Sequence, residues 1–123
     1  FFGNVKEEAQ MKRIYEEASE NDGYRILIDR LWPRGVSKER AHLDEWDKNI
    51  APSTELRKWF NHTAERFEEF AKLYNEELTQ MEDELNRIRL IADDKIVTLL
   101  YGARDPEINH AIVLRQTLIN NEK

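Results

Sequence analysis

Two apolar runs, Tyr24–Ile28 and Ile96–Tyr101, limit what this chain can fold into more than any other feature. Each has the length of a strand, and each is nearly continuous rather than alternating. Runs of that kind are buried on both faces, as in a parallel sheet flanked by helices. A long stretch with helical periodicity separates them. A crossover through helices normally joins parallel strands, which would bring the C-terminal ends of both runs to one edge of the sheet. Met11–Tyr15, ending in Ile14-Tyr15, is a weaker candidate for a first strand. The order strand, strand, several helices, strand, helix predicts an α/β fold: a small single-domain, three-layer-like arrangement with a mainly parallel sheet flanked by helices. A domain of 123 residues is long enough to bury roughly two-thirds of its unfolded surface.

Local signals punctuate this outline. Asn21-Asp22-Gly23 is a turn, because glycine accepts positive φ. Ser37 can cap a short helix, and Leu43, Trp46 and Ile50 then recur with helical spacing. Ala51-Pro52 stops that element, and Ser53 or Thr54 caps the next, with Leu56, Trp59 and Phe60 on one face. From Thr63 onward, Phe67, Phe70, Ala71, Tyr74, Leu78, Met81, Leu85, Ile88 and Ala92 keep three- and four-residue spacing, the mark of a core stripe rather than a ligand platform. Thr79-Gln80-Met81-Glu82 has the form of a capping box and predicts two helices broken near Thr79. Asp93-Asp94-Lys95 turns into the strand at 96–101. Asp105-Pro106, a cap followed by proline at the first helical position, predicts the start of the last helix. Residues 1–10 lack the basic and long apolar regions of a signal peptide and are read as an expression remnant or a short extra strand. The tail 120–123 is expected to fray.

Composition excludes several function classes. The absence of cysteine removes thiol catalysis, disulfides and thiolate metal sites, and is compatible with the cytoplasm, where the chain is expected to reside. No apolar run is long enough for a membrane span. Charged residues make up 36% of the chain and the net charge is −6, which opposes general affinity for phosphate backbones, so nucleic acid is not expected as a partner. No helix-turn-helix with a basic recognition helix is evident. His42, His62 and His110 lack metal-ligand spacing, and neither a metal nor a cofactor is expected.

What remains is a pair of polar clusters at the ends of the two apolar runs. Asp29-Arg30-Leu31-Trp32-Pro33-Arg34-Gly35 follows the first, and Tyr101-Gly102-Ala103-Arg104-Asp105 ends the second. In open α/β sheets, ligands bind at this carboxyl edge. Arg30, Arg34 and Arg104 stay charged and can fork onto carboxylate or phosphate oxygens. The start of the last helix, with Asn109 close by, adds unpaired N–H groups. Gly35 and Gly102 allow close backbone approach, and Trp32 offers an aromatic wall. The expected ligand is a small anion, a phosphate, nucleotide or carboxylate metabolite. In a hydrolase or transferase, Asp29 or His110 would be the general base and Tyr101 would orient the substrate through its hydroxyl. The alternative is a non-catalytic binding or regulatory module that recognises a protein or nucleic-acid end through the same arginines. Structural readings stand beside both. Asp29 and Arg30 could form a strand-end ion pair, Trp32 could be core, His110 could be packed, and the arginines could brace loop to helix.

The stretch DGYRILIDRLWPRGVSKE (22–39) resembles the signature of the YeaO-like family, a domain of unknown function. LDEW (43–46), APSTELRKWF (51–60), VTLLYGARD (97–105) and NHAIVL (109–114) are similar to it as well, so the resemblance runs from about Met11 to Leu118. It implies a small bacterial or archaeal α/β protein with no agreed activity. Resemblance to longer relatives of the wider superfamily implies a Cys-His pair where this chain has Asn109-His110. Thiol chemistry would then be lost, leaving Asn109 to orient or bind.

Overall fold

The structure, a computed structural model, describes residues 9–105 and 107–119. Strands Ala9–Arg13 (β1), Tyr24–Leu27 (β2), Glu45–Trp46 (β3) and Val97–Tyr101 (β4) form one sheet in the order β1-β4-β2-β3. Every pairing is parallel. The β4 run is apolar along most of its length because the strand lies between two neighbours and is covered on both faces; all five of its residues are buried. Leu27 stands beside Leu100 and Arg13 beside Tyr101, so β1, β2 and β4 finish at a common edge.

The helices are Lys38–Ala41 (α1), Thr54–Phe60 (α2), Phe67–Thr79 (α3), Glu82–Asp94 (α4) and His110–Ile119 (α5). Their distribution is unequal. From α2 to α5, Phe60, Phe70, Tyr74, Leu78, Leu85, Ile88 and Leu114 pack with Ile26, Ile28, Val97, Leu99 and Tyr101 in one core. Leu27 and Leu100 point the other way, into a smaller cluster with Ile14, Val36 and Ala41, flanked by Trp32, Leu43 and Trp46. The three predicted layers are therefore one thick helical layer, the sheet, and a thin cover made of α1 and its flanking loops. Among the described residues, no helix is long and apolar enough to cross a membrane.

The thin side also buries charge. Arg25, only 4% exposed, donates to the carbonyls of Ala41 and His42 and pairs with Asp22. Burial alone would raise the Asp22 carboxyl, but the Ser19 N–H, Lys12 and Arg25 outweigh it and hold its pKa below the ordinary value. Gly23 enters β2 at φ 66°, where a Cβ would lie 2.2 Å from the Ile96 carbonyl oxygen. No other residue fits there. That carbonyl accepts the Tyr24 N–H at 2.7 Å.

Several local expectations hold and others need correction. Ser37 and Ser53 cap α1 and α2, their hydroxyls accepting from Arg40 N at 3.1 Å and Leu56 N at 3.2 Å. The long stripe does break after Thr79, but no capping box forms. The Thr79 hydroxyl donates back to the Glu76 carbonyl at 2.6 Å, and Met81 precedes α4 without a side-chain cap. Leu43, Trp46 and Ile50 do not share a helix. The segment divides into β3 and a 3₁₀ turn at Lys48–Ile50, with Leu43 and Trp46 under the thin cover and Ile50 in the main core. The first strand lies two residues earlier than predicted. The last helix begins at His110 rather than after Asp105. Asn109 Oδ1 accepts the Ile112 N–H at 3.2 Å and is its cap, while Asp105 receives the N–H groups of Glu107 and Ile108 in a preceding turn. Of the segment 1–10, read as a remnant or an extra strand, residues 9 and 10 open β1, while residues 1–8, Pro106 and the tail at 120–123 lie outside the described residues.

Candidate functional site

The ends of β2 and β4 come together as their parallel arrangement requires. Asp29, one residue beyond Ile28, accepts the Gly102 N–H on Oδ2 at 2.9 Å and so fastens one strand end to the other. A Cβ on residue 102 would lie 3.0 Å from that same oxygen, which is why glycine suits the position. His110, the first residue of α5, brings Nε2 to 2.9 Å from the Ile28 carbonyl oxygen and 3.1 Å from Asp29 Oδ1. With two acceptors beside it, Nε2 is a nitrogen that carries a proton. Its proton serves the Ile28 carbonyl. Asp29 Oδ1 is buried and receives no hydrogen bond, so its relation to the imidazole is electrostatic. Tyr74 meets the His110 ring edge-on at 6.2 Å and donates its own hydroxyl to the Ile50 carbonyl at 2.6 Å, which fixes the imidazole from the helical side.

These groups border a cleft of about 390 Å³ between the strand ends, the 29–33 loop and the last turn of α2. Of the residues singled out in the sequence, Asp29, Arg30, Trp32, Gly102, Asn109 and His110 line it. Their roles are more structural than predicted. Arg30 spends its guanidinium on the carbonyls of Pro52 at 3.0 Å and Ala51 at 3.1 Å, bracing loop to loop. It forms no ion pair with Asp29 among the described residues. Trp32 donates Nε1–H to the Val36 carbonyl at 2.7 Å and meets Trp46 edge-on, while still walling the cleft. Asn109, almost fully buried, donates to the Asp105 carbonyl at 2.7 Å besides capping α5.

Tyr101, Arg34, Gly35 and Arg104 do not line the cleft. Tyr101 is buried in the main core rather than on the cleft, and desolvation pushes its hydroxyl pKa up. Arg34 and Arg104 are exposed, and Gly35 has open space around it. The three-arginine clamp is therefore not assembled. The cations that join Arg30 around the cleft are Arg57 and Lys58, from the last turn of α2. Among the described residues, neither side chain makes a hydrogen bond or an ion pair. In the sequence they look like ordinary helix-end cations, which complement the helix dipole, and only the path of α2 reveals where they face. Asn61 and His62 follow with consecutive left-handed backbones, φ 48° and 53°, and turn the wall of the cleft. No serine, threonine or cysteine is among the lining residues.

A second polar cluster lies outside the cleft. Carboxylate oxygens of Glu45, Asp47 and Glu84 fall within 4.8 Å of one another. The Arg87 guanidinium occupies the centre, 2.6 Å from Glu84 and 3.3 Å from Asp47 and paired also with Glu45, so the positive charge there is already supplied by the protein. Burial and the neighbouring carboxylates, Glu84 foremost, raise the Asp47 carboxyl to about 7. The hydrogen bond from Asp47 helps hold Glu84 below its ordinary value. One proton is shared between the two.

Comparison with known proteins agrees with the sequence motifs. A family profile described as the inactive DUF488-N3 subclade matches residues 8–123. The uncharacterized protein YeaO of Escherichia coli (strain K12) is 50% identical over 109 residues, which cover 89% of this chain and 95% of that protein. The uncharacterized protein Rv3073c of Mycobacterium tuberculosis (strain H37Rv) is 40% identical over 109 residues, covering 89% and 92%. No solved structure gives a significant match.

Proposed function

We infer, from the premise that the chain belongs to the YeaO-like DUF488 family, that its cleft binds a small anionic ligand and performs no chemistry on it. The observation that carries this reading is the placement of Arg57 and Lys58. In a chain of net charge −6, two cations without a side-chain partner among the described residues face a concave site at the carboxyl edge of a parallel sheet. Such a site focuses positive potential locally, whatever the net charge. Its volume lies within the roughly 300–1,000 Å³ range of small-molecule sites. Leu31, Trp32, Pro33 and Phe60 supply apolar wall beside the cations. A ligand with a flat apolar body and a phosphate or carboxylate group matches that division.

The same geometry argues against turnover. The lining lacks a serine, threonine or cysteine nucleophile, and its one phenol, Tyr15, donates to the Arg34 carbonyl at 3.0 Å. Asp29 is committed to the Gly102 N–H, and His110 directs its Nε2 proton at a backbone carbonyl. The subclade's description as inactive points the same way.

Thermal denaturation in the presence of inorganic phosphate, mononucleotides and aromatic carboxylates tests the proposal. A ligand at about 100 times its Kd adds roughly 2.7 kcal/mol, several degrees for a domain of this size. The expected result is a shift with at least one anion that disappears in an Arg57→Ala/Lys58→Ala double variant and persists in Arg34→Ala and Arg104→Ala. The absence of any shift, or an undiminished shift in the double variant, would overturn it.

A further inference from the structure

The side of α2 away from the cleft borders a second concavity. Leu56 and Trp59 of α2 and Leu73 of α3 floor an open groove of about 620 Å³, and Glu55, Glu76 and Glu77 stand along it. Trp59 is 39% exposed, a large indole surface left open to solvent. Glu77 is already engaged, accepting from the Ser53 N–H at 2.9 Å and the Ser53 hydroxyl at 2.6 Å. Glu55 and Glu76 have no side-chain partner among the described residues. Among the described residues, no lysine or arginine lines the groove. The Trp59 ring already receives a cation, since the Arg66 guanidinium of this chain lies 5.4 Å from its centroid.

We propose that the groove between α2 and α3 is a docking surface for a basic amphipathic helix of another protein, which seats an apolar side chain on Trp59 and Leu73 and turns flanking lysines or arginines toward Glu55 and Glu76. Charge complementarity selects this occupant. An acidic rim repels phosphate backbones and anionic membranes, whereas an apolar floor with a central tryptophan is the composition of an interface hot spot. Leu73 and Glu76 are three residues apart on α3, so one turn of an incoming helix can meet the apolar and the acidic group together. The site is separate from the cleft and does not depend on what binds there.

The test uses the full chain and two synthetic helical peptides, one of leucine and lysine and one of leucine and glutamate, followed by fluorescence anisotropy. The lysine peptide is expected to bind saturably and the glutamate peptide not at all. Trp59→Ala should weaken binding about 30-fold, the loss typical of a central aromatic hot spot. Trp59→Phe should retain most of it. Glu55→Gln/Glu76→Gln should remove most of the salt dependence. Leu90→Ala, at an exposed leucine outside the groove, should leave binding unchanged, and circular dichroism establishes that each variant is folded. Binding that survives Trp59→Ala, or that falls equally in Leu90→Ala, would overturn the proposal. So would a self-association in sedimentation that Trp59→Ala abolishes, because the occupant would then be a second copy of this chain.

Discussion

Asp47 holds a proton that an exposed aspartate would have lost. Its carboxyl, raised to about 7 mainly by burial and the hydrogen bond with Glu84, has an ordinary value of 3.8. Between those values the folded chain binds more protons than the unfolded one, so this group makes stability fall as pH rises through that window. Glu84, depressed by the same shared proton, acts in the opposite sense, and its contribution is lost as pH falls. Urea denaturation from about pH 5 to pH 8 should therefore show a decline that Asp47→Asn flattens, with the variant gaining roughly 1 kcal/mol at the alkaline end by keeping a neutral donor to Glu84. Asp22 predicts the reverse kind of effect. Asp22→Ala leaves Arg25 buried without its carboxylate and should cost about 3–5 kcal/mol in the same assay. Side-chain direction is the part of this scale that sequence could not convey. On paper Arg34 is the candidate ligand residue and Arg57 an ordinary helix-end cation, and only the path of the chain turns Arg57 rather than Arg34 toward the cleft.

Elements were more legible where local chemistry alone determines them. Ser37 and Ser53 each precede a helix and cap it, a property of a hydroxyl beside unpaired N–H groups. The parallel crossover from β2 to β4 followed from two apolar runs and the helices between them. Misreadings arose where a spacing had two meanings. Leu43, Trp46 and Ile50 fit a helical stripe, yet a two-residue strand and a 3₁₀ turn deliver them to opposite sides of the sheet. Asp105 satisfies N–H groups in a turn, and Asn109 then does so for the helix, so the first good cap was not the operative one. Gly23→Ala tests an element boundary directly. Its left-handed φ and the 2.2 Å approach to the Ile96 carbonyl oxygen oblige the start of β2 to move away from β4. A loss of at least about 2 kcal/mol is expected, read from the denaturation midpoint.

Across the whole molecule the sheet is unequal in width as well as in cover. β4 has neighbours on both sides and is buried throughout, whereas β3 contributes only Glu45 and Trp46 at one margin. Amide exchange should accordingly be slowest at Leu99 and Leu100 and fastest, within the sheet, at β3, because local opening spares the elements with most burial. A uniform rate across all four strands would contradict this ordering. The brevity of β3 has a further consequence. A strand of two residues gives an incoming backbone almost no ladder to copy, while β1 offers five residues at the opposite margin, and among the described residues no strand lies beyond it. Among the described residues, any joining of such molecules edge to edge would therefore run through β1, and β3 could not extend it. Two β1 margins meeting across a twofold axis would leave, among the described residues, only the two-residue β3, too short a margin for a fibre to grow on.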